Sequence, residues 1–228
     1  MIKAIVFDLW ETLIPATIDF VHLGSLIKTG GIPLNDFTFR YEKAVQLKKY
    51  KNFEELRKDF FKEFNQESNE LLEKELYEIF FNRFDKIHFY PEVEKNLVKL
   101  KAQGYKLGLL SNTENLHAGD VAKKLKLENY FDAICLSFEI GALKPDKKAF
   151  AAVLKKLKVK PSEALMVGNS LRSDVGGAQS SGLHNCWLNR SSNHTGFGKA
   201  KPEFEILSLN DIYKVLGALN GSKKASKD

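Results

Sequence analysis

The chain has 228 residues, 43% of them hydrophobic and 28% charged, with 17 Phe and only 6 Pro. That composition suits one or two domains with a sizeable core and excludes wholesale disorder. No run approaches the roughly 18 apolar residues of a membrane span, and Met1–Phe7 is ended by Asp8 without a cleavage-site pattern. Two cysteines, Cys135 and Cys186, are too few for a disulfide framework, so a cytoplasmic, membrane-free protein is expected. The formal charge of +6 raises the question of nucleic acid, but of 35 basic residues only five are Arg. The lysines lie along helical stretches with acids nearby, which reads as a solvated Lys/Glu surface and not a nucleic-acid footprint.

Ile2–Phe7 is an almost continuous apolar run, the pattern of a strand buried on both faces. From about Asp19 to His88 apolar residues recur at helical spacing among many charges, as in Phe53, Leu56, Phe60, Phe61 and Phe64. Three to five helices packed on one another are predicted there, broken at Gly30-Gly31 with Pro33 and again at Asn65–Asn69. From Tyr90 onward helices and strands alternate. Helices are predicted over Glu92–Gln103 (stopped by Gly104), His117–Leu125, Lys147–Leu157 and Val175–Ser181 (stopped by Gly182). Strands are predicted over Tyr105–Leu110, Ala133–Ser137, Ala164–Val167 and Asn185–Leu188. This alternation implies right-handed crossovers and a doubly wound, Rossmann-like parallel sheet with helices on both faces. A helical module is inserted directly after its first strand. The expected division is a core of residues 1–14 and 89–220, a helical module of 15–88, and a frayed tail from about Asn220 through 221–228.

In open parallel sheets ligands bind beyond the carboxyl ends of the strands, where strand order reverses. The residues following the predicted strands are Asp8-Leu9-Trp10-Glu11-Thr12, Ser111-Asn112-Thr113, Lys144, and Gly168-Asn169-Ser170 through Asp174. A carboxylate, hydroxyls, an ammonium and an amide–carboxylate pair would converge on one crevice. The scattered histidines offer no metal-spaced pair, and no Walker-type or dinucleotide glycine motif is present.

This ordered set resembles the haloacid dehalogenase-like (HAD) hydrolase superfamily. Asp8 and Thr12 match D-x-D-x-T, Ser111-Asn112-Thr113 matches [ST]-N-[TS], Lys144-Pro145 matches the lysine motif, and Gly168, Asp174 and Gly177-Ala178 match the fourth motif. The resemblance covers nearly the whole chain, with the inserted helices corresponding to a C1-type cap. It implies covalent catalysis, in which Asp8 attacks the electrophilic centre and water cleaves the product. Lys144 would keep Asp8 ionised, and Ser111, Thr12 and the amides after Asp8 would donate hydrogen bonds to the transferring group. It also implies a Mg²⁺ site formed by Asp8, Trp10, Asn169 and Asp174, and substrate contacts from Trp10, Asn112 and Arg40.

Two positions depart from the phosphatase pattern. Trp10 stands where those enzymes place a general-acid Asp, and an indole has no titratable proton to give. Asn169 stands where a metal-binding Asp is usual, keeping an oxygen ligand but removing a charge. The expectation is therefore a slow Mg²⁺-dependent phosphatase acting on a small phosphorylated metabolite, favouring acyl or aryl phosphates. The alternatives are a metal-free 2-haloacid dehalogenase gripping its substrate through Arg40, and a catalytically impaired binding module. Glu11 is a weaker replacement for the missing acid, because adjacent positions point to different sides. The expected partner is a small phosphorylated or halogenated molecule, with no nucleic acid and no membrane, on a monomer or homodimer.

Overall fold

The computed structural model describes residues 1–16, 20–27, 33–67, 69–82, 87–190 and 198–221. Six parallel strands lie in the order β3-β2-β1-β4-β5-β6: β1 Ala4–Phe7, β2 Lys106–Ser111, β3 Ala133–Leu136, β4 Ala164–Gly168, β5 His184–Leu188 and β6 Phe204–Ile206. The chain runs from β1 outward through β2 and β3, then returns to the other side of β1 for β4, β5 and β6. Strand order thus reverses beside β1, whose last residue, Phe7, is in register with Leu109 on one side and Val167 on the other.

Alternation along β1 sorts its side chains to the two faces of the sheet. Ile5 and Phe7 enter a core layer with Val93, Leu97 and Leu100 of α5 (Val93–Ala102), Val121 of α6 (Asn115–Leu125), and Ile212 and Val215 of α10 (Ile212–Gly221). Ala4 and Val6 face the opposite layer, with Phe150, Val153 and Leu157 of α8 (Lys147–Leu157) and Ala178 of α9 (Gly177–Ser180). Gly108 of β2 is where α8 comes closest, since a Cβ there would meet Leu157 and Val153 within 3 Å. The doubly wound architecture is as the periodicity predicts.

Between β1 and α5 lie α1 (Phe20–Leu26), α2 (Leu34–Val45), α3 (Phe53–Phe64), α4 (Glu70–Tyr77) and a π-helical turn, Glu78–Asn82. They enclose an aromatic core of their own, in which Phe37, Tyr41, Phe60 and Phe64 are buried. The predicted break at Asn65–Asn69 is present: Asn65 takes a left-handed conformation after α3, and the Asn69 side chain accepts from the Leu72 amide to start α4. The Gly30-Gly31 break lies outside the described residues.

Two expectations need correction, and two elements were not predicted. The helix predicted over Val175–Ser181 is instead a π-helical turn, Leu171–Gly176, followed by one turn of α9, because Asp174 is drawn inward to partners behind it. A short β6 and α10 extend the core beyond β5. Asn220 is not frayed: it accepts from the Ile2 amide at 2.8 Å and donates to the Tyr105 hydroxyl at 3.1 Å. Residues 222–228 lie outside the described residues. Both cysteines are free and buried, and no helix among the described residues is long and apolar enough to cross a membrane.

Candidate active site

The carboxyl end of β1 places Asp8 at the reversal of strand order, with its amide bonded to the Val167 carbonyl of β4. The chain then turns sharply. The Leu9 carbonyl accepts from the amides of Leu13 and Ile14, and Glu11 takes a positive φ of 58°. This turn returns Thr12 beneath Asp8, where its hydroxyl stands 3.0 Å from Asp8 Oδ2 and 3.4 Å from Asn169 Oδ1. Arg190, just past β5, holds the turn from outside. Its Nε and Nη2 donate to the Thr12 carbonyl at 3.1 and 2.8 Å, Nη1 bonds Glu92, and its guanidinium lies over the Tyr90 ring.

Lys144 arrives from the segment between α7 (Ser137–Ile140) and α8. Its ammonium, only 2% exposed, sits between two carboxylates, 2.5 Å from Asp8 Oδ1 and 2.7 Å from Asp174 Oδ1. Asn112 fixes the lysine backbone: its Oδ1 accepts from the Lys144 amide and its Nδ2 donates to the Lys144 carbonyl. Asp174 Oδ2 accepts from the Ser170 amide. A Cβ at position 168 would fall 2.2 Å from that carboxylate oxygen, so glycine is required there for Asp174 to seat. Gly177 is required for the same kind of reason, because a Cβ there would collide with the Phe150 ring and crowd Pro145 beside Lys144.

Burial dominates the electrostatics. It raises the Asp8 carboxyl to about 6; the Lys144 charge opposes the rise and the Asp174 charge adds to it. Burial alone would lower Lys144, but the charges of Asp174 and Asp8 outweigh it and hold the ammonium above its ordinary range. The Lys144 ammonium is thus shared between the carboxyl groups of Asp8 and Asp174.

The structure brings together Asp8, Thr12, Lys144, Asn169 and Asp174, with buried Ser111 and Asn112 at the end of β2. Asn112 spends its hydrogen bonds on Lys144 and on Glu42 of α2. Trp10, partly buried, packs against the core layer around Leu9 and Ile14 and bridges to Ile14. Arg40 is not brought to the cluster: Nε and Nη2 donate to Glu63 of α3, and the guanidinium lies over the Phe64 ring. Glu11 is turned outward, its carboxylate accepting from the Ala16 amide. Sequence reasoning missed Glu42 and Arg190. No local pattern marks either, since each acquires its partners only when distant segments meet.

Comparison with known proteins gives the family. A family model for haloacid dehalogenase-like hydrolases matches residues 2–182. The chain is 28% identical to a glyceraldehyde 3-phosphate phosphatase from Pyrococcus abyssi, over 98% of each chain. It is 30% identical to the corresponding Pyrococcus furiosus phosphatase over 62% of this chain, which spans 60% of that enzyme. Among solved structures, a HAD phosphatase from Thermococcus onnurineus superposes with a TM-score of 0.64 at 28% identity, covering 95% of this chain and 98% of that one.

Proposed function

The chain belongs to the haloacid dehalogenase-like hydrolases, and from that premise we propose that it hydrolyses a small phosphorylated metabolite through a phosphoryl group carried on Asp8. The observation that carries this reading is the 2.5 Å contact between Asp8 and Lys144, both shielded from solvent at the reversal of strand order. Asp8, ionised at neutral pH, attacks phosphorus; Lys144 balances its charge against the incoming phosphate; Ser111 and Thr12 supply hydroxyl donors around the transferring group. Water then attacks the same phosphorus and restores Asp8. In this reading residues 15–88 are the cap, and residues 1–14 and 89–220 the core.

The donors suit Mg²⁺. Asp8, Asp174 and the Asn169 amide oxygen lie around one point, and with the main-chain carbonyl of Trp10 they would make an all-oxygen set of the kind that holds a hard cation. Asn169 in place of a carboxylate makes that hold weaker. When bound, the cation supplies charge neutralisation for the phosphoryl oxygens. The phosphatase names of its relatives support this chemistry over dehalogenation, as does the engagement of Arg40 with Glu63.

A panel of glyceraldehyde 3-phosphate, phosphoserine, acetyl phosphate and 2-chloropropionate, each assayed with Mg²⁺ or with chelator, tests the proposal on wild type and Asp8→Asn. Phosphate release that requires Mg²⁺ and vanishes in the variant is expected. Halide release with chelator present, above the variant's level, would instead establish the dehalogenase. No turnover with measurable ligand binding would leave a binding module.

A further inference from the structure

The position that supplies the general acid in related phosphatases is Trp10 here, and Glu11 faces away, so a proton donor must come from elsewhere. Helix α2 lies across the strand ends that surround Asp8. Over the loop after β4, the Phe39 ring covers the Arg172 guanidinium at 4.1 Å. Over the end of β2, Glu42 Oε2 accepts from Asn112 Nδ2 at 3.2 Å. Beyond it, the Gln46 carbonyl accepts from Ser137 Oγ at the end of β3, at 2.6 Å. Residues 39 and 42 share one face of α2, Gln46 follows its last turn, and β1 lies between β2 and β4. That face therefore roofs the nucleophile, with Glu42 the carboxyl it carries on the side opposite the sheet.

In an in-line displacement the leaving oxygen departs from the side of phosphorus opposite the attacking one. With Asp8 attacking from β1, the leaving group points at α2. Asn112 is oriented by its two bonds to the Lys144 main chain, which fixes its amide N–H toward Glu42. Among the described residues, Lys144, Asp174 and Asp8 are the charged groups whose fields reach that carboxyl. We propose that Glu42 is the general acid and base of this enzyme, supplied by the cap in place of the side chain lost at Trp10. The inference rests on the covalent reading above. In the first step the bond from Asp8 to phosphorus forms, the bond from phosphorus to the leaving oxygen breaks, and that oxygen takes the Glu42 proton. In the second, the water oxygen bonds to phosphorus as Glu42 takes its proton, the bond from phosphorus to Asp8 breaks, and phosphate leaves with Asp8 again a carboxylate and Glu42 again protonated. Burial raises Glu42 to about 7, against the opposing pull of Lys144 and the Asn112 hydrogen bond, so both protonation states are accessible near neutrality.

The test compares kcat/KM for glycerol 1-phosphate, whose alkoxide needs a proton, with acetyl phosphate, whose carboxylate does not. Glu42→Gln should lose about 10²- to 10⁴-fold on the first and less than about tenfold on the second. In the same variant acetyl phosphate should give a burst of acetate, as the phosphorylated enzyme awaits its base. Equal losses on both substrates, or none on either, overturn the assignment of Glu42. Hydrolysis persisting in Asp8→Asn overturns the covalent reading, and with it this one. Wild type alone gives a second test across a series of aryl and alkyl phosphates. The leaving-group dependence should be shallow at pH 6 and steep at pH 8.5, and one slope at both pH values overturns the proposal.

Discussion

Asp8, Lys144 and Asp174 illustrate how a buried charge cluster is tolerated. Removing one ion from such a group leaves the others desolvated and uncompensated, at a cost of about 3–5 kcal/mol. Lys144 serves both carboxylates, so Lys144→Met should lower the melting temperature by about 10 °C in a chain of this size. It should also abolish phosphate hydrolysis. Thermal denaturation followed by circular dichroism checks the first part; a melting temperature within about 2 °C of wild type would show that the ammonium is not the counter-charge. The residue identities at the site were legible before the fold because each lies in a segment that follows a predicted strand, and the carboxyl ends of strands in a parallel sheet converge. Their hydrogen bonds were not legible. The Thr12 hydroxyl reaches Asp8 only because the chain turns through Glu11, and Arg190 reaches the Thr12 carbonyl across 178 residues of sequence.

At the level of elements, α2 reads as an ordinary amphipathic helix, and nothing in its spacing says what its polar face covers. Glu42 meets Asn112 across 70 residues, so its role depends on how the helical layer sits on the core. One fixture of that docking is the reciprocal pair between Tyr50 and Asn115, whose side chain accepts from the Tyr50 amide at 2.7 Å and donates to its carbonyl at 2.9 Å. Asn115→Ala removes both bonds, each worth about 1 kcal/mol. The Tyr50 amide should then exchange with solvent about tenfold faster or more, while amides in β1 and β4 stay protected. Uniform loss of protection across β1 and β4 would show that the bonds hold the whole fold and not the docking alone. The strands of the core were legible from their apolar runs, except β6. Its three residues, Phe204–Ile206, are too few to show a period. The π-helical turn at Leu171–Gly176 was equally hidden, because it forms in answer to Asp174 being bonded by Lys144 and the Ser170 amide.

For the molecule as a whole, the sheet supplies a rigid platform with one carboxylate at its point of reversal, and the inserted helices supply the roof. Several of the described lysines pair with nearby acids, as in Lys3–Glu163, Lys48–Asp59 and Lys58–Glu54. The proposed division of labour between platform and roof rests on one covalent event. Acid-quenching the wild-type enzyme during turnover of acetyl phosphate with Mg²⁺, followed by mass spectrometry of the peptide containing residue 8, measures that event directly. A phosphoryl group on Asp8, absent from Asp8→Asn, is the predicted result. Sustained phosphate release with no such adduct, or with the adduct on another side chain, would contradict the account.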